Sequence, residues 1–457
     1  MFPANDIVQF RQNFRGSLVL PNDFEYQRAR AVWNGMVDKR PAGIAYCVSP
    51  ADVVNALEFA RAQKMAVAVR SGGHNIAGNS VCEGGVVIDL SRMKRVEIDP
   101  ERRIICGAAG LTLGEFDAAT QNFGLATTMG VNSDTGMAGL TLGGGFGKLG
   151  RAYGLACDNL LSAEIVTADG RILHANETEN SDLFWGIRGG GGNFGVATSL
   201  TFRLHPIGRE MLRASFAYDQ AHARDAMRFY RDLAAGAPDE VSADAGISMG
   251  SSGEPVFGIT LCYAGPAKEG AAVFDRLLAP LRATVRATEE NLGLTPYLAI
   301  QSAGDAVFPR GHRYCWKAQF LHQISDELID VLLGRFRLSP SPRALVVFQH
   351  VGGAIARVSP DATAYVNRDA AFDCFPISIW DAPADDPANS AWVRELWTAV
   401  RPFSTGGVYV NNLGDEGDER VCAAYGDNLP RLIALKDKYD PTNVFCRNQN
   451  IRPSVCR

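Results

Sequence analysis

Between Val67 and Met93 the chain reads VAVRSGGHNIAGNSVCEGGVVIDLSRM, with His74 directly behind two glycines and strand-like runs on either side. An imidazole is a nucleophile and proton carrier near neutral pH. Taken alone, His74 reads as a histidine on a surface turn. Two glycine-rich stretches change its company. Gly136, Gly139, Gly143, Gly144, Gly145 and Gly147 fall within twelve residues, and RGGGGNFG covers 188–195. Each ordered glycine costs backbone entropy, so such clusters persist where the main chain must approach a ligand or adopt a positive φ. Successive bare N–H groups form concave nests that hold phosphate without a lysine. A flexible linker is the alternative, but linkers are polar, and Leu140, Leu142, Phe146 and Leu149 are interleaved here. The favoured reading is a site for a phosphate-bearing cofactor.

Two further patterns imitate known signatures. Gly145-Phe-Gly-Lys-Leu-Gly150 matches G-x-G-x-x-G, which binds a dinucleotide only where a buried strand meets a helix. Its approach, GMAGLTLGG, holds too much glycine for a central strand, so no Rossmann site is expected. Lys148 is followed by Leu149, so it is no Walker loop either. Gly246-Ile-Ser-Met-Gly250 matches the nucleophile elbow but runs into SSGEPVFGITL, a turn and a strand. An elbow must enter a helix, so no serine hydrolase is expected.

The elements that position these residues follow from local patterning. Ser49-Pro50-Ala51-Asp52 is a helix start, with serine as N-cap and proline at the first position; the helix runs to about Gln63. AVAVR (66–70) and GVVIDL (85–90) are strands flanking the His74 turn. RVEIDPERRIICGAAG is a hairpin turning at Asp99-Pro100. Thr112 and Glu115 form a capping signature opening a helix that ends near Gly124. AEIVTADGRILHA (163–175) is a hairpin, and FGVATSLTFRLHP (194–206) is a strand closed by Pro206. Beyond it glycine thins out. Amphipathic helices such as 221–234 alternate with strands such as 255–265. The expected division is a cofactor domain at 1–206, a second domain at 207–400, and a C-terminal segment at 401–457 whose helix stops at Asp440-Pro441.

With 457 residues, 46% of them hydrophobic, the chain can bury a large core. A net charge of -5 argues against nucleic acid as partner. No apolar run approaches the roughly 18 residues of a membrane span. MFPANDIVQF carries Asp6 and lacks a basic start with an apolar run behind it, so no signal peptide is expected. Ten cysteines include no C-x-x-C pair, which removes a zinc ribbon, and no metal site is expected. Reduced thiols in a cytoplasmic protein are the expectation; Cys446 and Cys456 could bridge, but nothing requires it.

RSGGHNIAGNSVCEGGVVIDL, DTGMAGLTLGGGFGKLGRAYGLACDNLLSAEIVTADG, DLFWGIRGGGGNFGVATSLTF and KYDPTNVFCRNQNI span nearly the whole chain. Together they resemble the berberine-bridge-enzyme-like branch of the vanillyl-alcohol-oxidase flavoprotein superfamily. Within it the likeness is to bacterial enzymes of 6-hydroxy-D-nicotine oxidase type and related oxidases of antibiotic pathways, which implies secondary metabolism. The resemblance implies an α+β fold: a two-lobed PCMH-type FAD-binding domain, and a substrate domain with an antiparallel sheet backed by helices. It also implies that His74 carries FAD covalently through the 8α-methyl of the flavin. Many relatives attach the flavin a second time through a cysteine; the matching position here is Asn132, so one covalent bond only is expected. The family's active-site tyrosine is Phe146 here. Arg70, Ser71, Gly72, Gly73, Asn75, Gly78 and Asn79 are implied to wrap the pyrophosphate. Gly130, Gly136, Gly139, Leu140, Gly144 and Gly147 are implied to line the other side, with Asp158 and Val196 nearby. Thr135 falls beside flavin N5, and Tyr409, Asn411 and Asn448 match positions near the ring.

The catalytic base is the least determined part. Plant relatives use a glutamate on a strand leading to a tryptophan. The matching strand, DCFPISIW (373–380), is read as carrying no acid. A second acidic position maps near Gln349, beside His350. Tyr409 is therefore the first choice of proton acceptor and His350 the second, with plain packing the alternative for each. Tyr314, Trp316, Phe320, Tyr365 and Trp380 are expected to wall a pocket for an aromatic or polyketide-like substrate. The function expected is an FAD-dependent oxidase passing hydride to flavin N5, with dioxygen reoxidising the flavin to give hydrogen peroxide. The partners are then a small organic molecule and dioxygen, with neither nucleic acid nor membrane. Rival readings are a dehydrogenase with poor oxygen reactivity and a redox-silent flavoprotein cyclase.

Overall fold

A computed structural model of the chain describes residues 2–456. Among these, short strands form sheets of four, five, two and eight strands, and the fold is α+β. In the first sheet Gly43–Tyr46 and Val67–Arg70 flank Val86–Asp89 in parallel, with Ser17–Val19 antiparallel at the edge. Parallel neighbours need a crossover, and the helix Pro50–Ala62 supplies one. It begins where expected: the Ser49 hydroxyl accepts from the Asp52 N–H at 3.2 Å. The His74 turn leaves the carboxyl end of Val67–Arg70, the end at which open parallel sheets present loops to ligands.

The second sheet is antiparallel and joins two hairpins across a central strand, Val196–Arg203. The hairpins are Val96–Asp99 with Ile104–Ala108, and Leu160–Val166 with Ile172–Asn176. The helix Leu113–Gln121 opens with the full Thr112/Glu115 capping box. The Gly145–Gly150 stretch follows a short helix, Met137–Leu142, rather than a strand. Ser248 lies inside the strand Val241–Met249. Neither imitation motif therefore has the setting its chemistry needs.

The eight-stranded sheet is antiparallel, with strands between Glu210 and Trp380. Successive side chains of a strand point to opposite faces, and the two faces have different partners. One face, with Val346, Phe348, Phe372 and Cys374, is buried against the helices Gln220–Gly236, Ala267–Thr284, Asp326–Phe336 and Asp386–Val400. Each fully buried aromatic there, such as Phe257 or Phe274, contributes roughly 2 kcal/mol. The other face, with Val347, Phe375 and Ile377, is turned to the glycine loops.

The tail returns to those loops. Lys436, on the helix Leu429–Tyr439, is fully buried with Asp440. Its ammonium donates to Asp440 Oδ2, Asn193 O and Phe445 O at 2.7–3.0 Å. A buried charge is tolerable only when so completely bonded. The contact ties the second glycine loop to the last 20 residues. All ten cysteines are free. Among the described residues no helix is long and apolar enough to cross a membrane.

Candidate active site

A cleft of about 370 Å³ runs between the four- and five-stranded sheets and the inner face of the large one. Its first wall is main chain. Ser71, Gly72, Gly73, His74, Asn75 and Asn79 line it from the opening turn. Gly130, Asn132, Thr135, Gly136, Gly139 and Leu140 line it from the first glycine region, and Gly191, Gly192, Gly195 and Val196 from the second. Gly72 and Gly136 meet back to back. A Cβ on either would overlap the other's backbone nitrogen, so neither can carry a side chain. Gly73 has φ +75°, in the left-handed region that favours glycine.

His74 stands at the end of this turn. Its Nδ1 lies 3.4 Å from Thr135 Oγ1 and its Nε2 2.6 Å from Asp134 Oδ1. That approach is an ion-pair contact rather than a hydrogen bond. The Trp33 ring stacks on the imidazole at 5.1 Å and on Tyr314 at 3.8 Å. Trp33 is itself held by the segment 302–312: its Nε1 donates to Phe308 O, and Gly311 N donates to Trp33 O.

The second wall is made of side chains from the large sheet: Trp316, Val347, Gln349, Phe375 and Ile377, with Phe308 beside them. Tyr409, Asn411, Asn412, Arg447, Asn448 and Gln449 complete it from the tail. The Tyr409 hydroxyl accepts from Gly145 N at 2.8 Å and from Asn411 Nδ2 at 2.7 Å. Both its lone pairs are thus engaged. Burial holds its pKa above the ordinary phenol value despite those two bonds. Such a phenol keeps its proton and can donate it, so the structure does not support Tyr409 as proton acceptor.

His350 is not in the cleft. Along Leu345–His350 the odd-numbered residues are part-exposed and the even-numbered ones buried. His350 therefore points with Phe348 to the helix side, stacked on Phe372. Burial drops its pKa to about 3. The expectation that it serves as a base is corrected by this one-residue alternation; its neighbour Gln349 faces the cleft.

The strand read as lacking an acid has one at its head. Asp373 is fully buried, opposite Gln349 in register. Its Oδ2 accepts from Asn412 Nδ2 at 2.7 Å, and its Oδ1 has no partner among the described residues. Burial raises its pKa to about 7, against the lowering pull of Asn412 and Arg420. Period-two patterning was the signal for it: Asp373, Phe375 and Ile377 share one face of a strand. Trp33 and Arg447 were also missed; Arg447 adjoins Asn448 in a stretch whose amides alone had drawn notice.

Five expected cofactor residues stand behind the cleft instead of in it. Arg70 donates to Asp89 and to Ala29 O, bracing the turn from below. Gly78 has φ +68°, and a Cβ there would meet Val37. Gly144 admits the Tyr365 and Tyr409 rings, and Gly147 sits on Met129 O. Asp158 makes a two-pronged pair with Arg368 at 2.7 and 2.8 Å. These residues shape the loops rather than touch what the loops hold. The expected aromatic wall needs the same correction, since only Trp316 of its five members lines the cleft. Tyr314 is covered by Trp33, Phe320 and Tyr365 pack on Phe146, and Trp380 donates to Asp386.

The cleft fits a flavin dinucleotide. Gly139 and Gly192 have open space where a Cβ would stand, so the main chain is bare toward the cavity. The buried Oδ1 atoms of Asn132 and Asn448 have no partner among the described residues, and flavin and ribityl donors could satisfy them. Arg447 is near enough to Lys39 to help burial depress the lysine's pKa, and a diphosphate would relieve that repulsion. Among the described residues no cysteine lines the cleft.

Comparison with known proteins agrees. Residues 41–176 match the family model described as FAD binding domain, and residues 408–452 the one described as berberine and berberine like. The chain is 30% identical to an FAD-linked oxidoreductase of Dictyostelium discoideum, over 98% of each chain. It is 28% identical to (R)-6-hydroxynicotine oxidase of Paenarthrobacter nicotinovorans, over 96% of this chain and 97% of that one. The solved structure of 6-hydroxy-D-nicotine oxidase from Arthrobacter nicotinovorans superposes with a TM-score of 0.89 at 26% identity, covering 96% and 98% of the two chains. With its glycine-lined cleft and these relatives, the chain belongs to the berberine-bridge-enzyme-like family of FAD-linked oxidoreductases.

Proposed function

We propose that the chain is an oxidase that holds FAD by a single covalent bond at His74 and oxidises a neutral, largely aromatic small molecule. One observation carries the reading: His74 projects from a main-chain wall into a cleft whose opposite wall is Trp316, Gln349 and Phe375. In this reading residues 1–206 with the segment 401–457 hold the cofactor, and 207–400 wall the substrate. Bound there, FAD would supply hydride acceptance at N5, with dioxygen as the final acceptor and hydrogen peroxide as product. The chain's own share is binding, orientation and proton handling. Trp316, Phe308 and Phe375 offer flat apolar surface, and Gln349 and Asn412 offer amide contacts. Among the described residues no carboxylate or lysine lines the cleft, which favours an uncharged substrate over an ionic one.

Asp373 is the proton acceptor of this proposal. It is joined through a hydrogen bond to Asn412, which lines the cleft. A carboxyl titrating near pH 7 is matched to taking a proton at neutral pH. Free thiols throughout suit a reducing compartment, and the cytoplasm is proposed.

The test is a screen of neutral aromatic alcohols, phenols and amines for anaerobic bleaching of the bound flavin, followed by peroxide measurement in air. The expected result is bleaching by a member of this class and one peroxide per substrate oxidised. Bleaching with turnover only on an artificial acceptor would make the protein a dehydrogenase. Conversion of substrate without any bleaching would make it a redox-silent cyclase.

A further inference from the structure

We propose that Asp134 is a positioning residue that prepares His74 for its bond to the flavin, by fixing the imidazole tautomer and taking up the ring proton. This rests on the covalent reading above. The observation is the pairing of the two imidazole nitrogens with different partners. Nε2 lies 2.6 Å from the Asp134 carboxylate, whereas Nδ1 meets only the Thr135 hydroxyl, at 3.4 Å, on the wall of the cleft.

A carboxylate 2.6 Å from Nε2 favours the hydrogen on that nitrogen electrostatically, which leaves the lone pair on Nδ1. Trp33 covers the imidazole face and limits its rotation. The carboxylate is itself placed from outside the turn. Arg310 Nη2 lies 3.4 Å from Asp134 Oδ2 and donates to Gly72 O at 2.7 Å. Asp305 accepts from Ser133 N at 2.8 Å, on the residue next to Asp134. The segment 302–312 thus clamps both the turn that carries His74 and the loop that carries Asp134. Burial pushes the Asp134 pKa upward, but His74 and Arg310 together hold it below the ordinary carboxylate value, so it is an anion at neutral pH.

The chemistry balances as follows. A bond forms between Nδ1 and the flavin 8α carbon, and one C–H bond of the 8α-methyl breaks. The electron pair of that C–H bond stays with the flavin, reducing it by two electrons, and its proton is released. The imidazole becomes cationic as Nδ1 bonds to carbon, and the Nε2 proton passes to Asp134. Dioxygen then takes the two electrons and the two protons as hydrogen peroxide, restoring oxidised flavin and anionic Asp134. A carboxylate that fixes an imidazole tautomer and steadies its positive charge is established chemistry in other enzymes; here it would act once in the life of the molecule.

The test compares wild type, Asp134→Asn, Asp134→Glu, Asp134→Ala and His74→Ala as full chains. Adduct is scored by intact mass and by flavin fluorescence on denaturing gels, during aerobic incubation with FAD. Reversible FAD binding and thermal midpoint are measured alongside. Wild type is expected to form the adduct and His74→Ala none. Asp134→Asn is expected to bind FAD but form adduct on the order of 100-fold more slowly. Asp134→Glu should recover most of the rate, and formate, but not chloride, should accelerate Asp134→Ala. A purely structural role for Asp134 would show no formate effect. Adduct at the wild-type rate in Asp134→Asn overturns the inference and leaves the covalent reading standing. Absence of adduct in wild type overturns both.

Discussion

The two walls of the cleft are built on different principles. The wall formed by residues 71–79, 130–140 and 191–196 is main chain, and its requirement is the absence of side chains at Gly72, Gly136, Gly139 and Gly192. The wall formed by the large sheet is side chain, and its requirement is which face of a strand each residue occupies. A backbone wall suits an invariant dinucleotide, whose phosphates are met by N–H groups. A side-chain wall can be changed residue by residue, and selectivity for substrate belongs there.

The sharpest way to break this contrast is to add a methyl group to the backbone wall. Gly72→Ala places a Cβ against the main chain of Gly136, where nothing can rotate away. It is expected to cost about 4 kcal/mol or more and to abolish FAD retention, read by thermal unfolding and flavin absorbance. Gly139→Ala meets open space instead. It should keep the fold and lower FAD affinity, so the pair separates structural crowding from encroachment on the cofactor. Equal destabilisation by both would remove the distinction.

Next in size is Asp373→Asn, which should lower turnover on the order of 100-fold with flavin content unchanged. Wild-type turnover should rise as pH increases through about 7, where Asp373 loses its proton, and the variant should lack that rise. The stability effect has the opposite sense. A carboxyl whose folded pKa lies above its unfolded one favours the fold below about pH 4 and loses that support as pH climbs to about 7. Asp373→Asn should therefore gain in thermal midpoint relative to wild type at pH 8, and not at pH 4. Asp117, also raised to about 7, contributes equally to both proteins, so the difference isolates Asp373.

Smaller again is Trp316→Ala, which trims the side-chain wall. It is expected to raise KM about tenfold, corresponding to about 1.4 kcal/mol, with the flavin spectrum and peroxide yield preserved. Smallest is His350→Met. With its ring on the helix side of the sheet, turnover should stay within about twofold of wild type, and a larger loss would restore His350 to the list of candidate bases.

The same contrast governs what could be read from the sequence. The helix starts at Ser49 and Thr112 were legible because capping is a local interaction over three residues. His74 and the glycine wall were legible because glycine clusters announce a backbone demand. The side-chain wall was not. His350 and Gln349 differ by one position on a strand, and only its partners decide which of them faces the cleft. Asp373 was passed over because it heads a strand whose register is set by Gln349, 24 residues earlier in the chain. Gly144, Gly147 and Asp158 belong to the right loops, but their neighbours Tyr365, Tyr409, Met129 and Arg368 come from far along the sequence. The clamp made by 302–312 on the His74 turn carries no local signature at all.

The central claim is that His74 is the attachment point of the flavin, and peptide mapping tests it most directly. Trypsin should release one flavin-bearing peptide, Ser71–Arg92, in which fragmentation places the modification on His74. Flavin on any other peptide, or a protein that yields all its FAD to acid, would contradict the account.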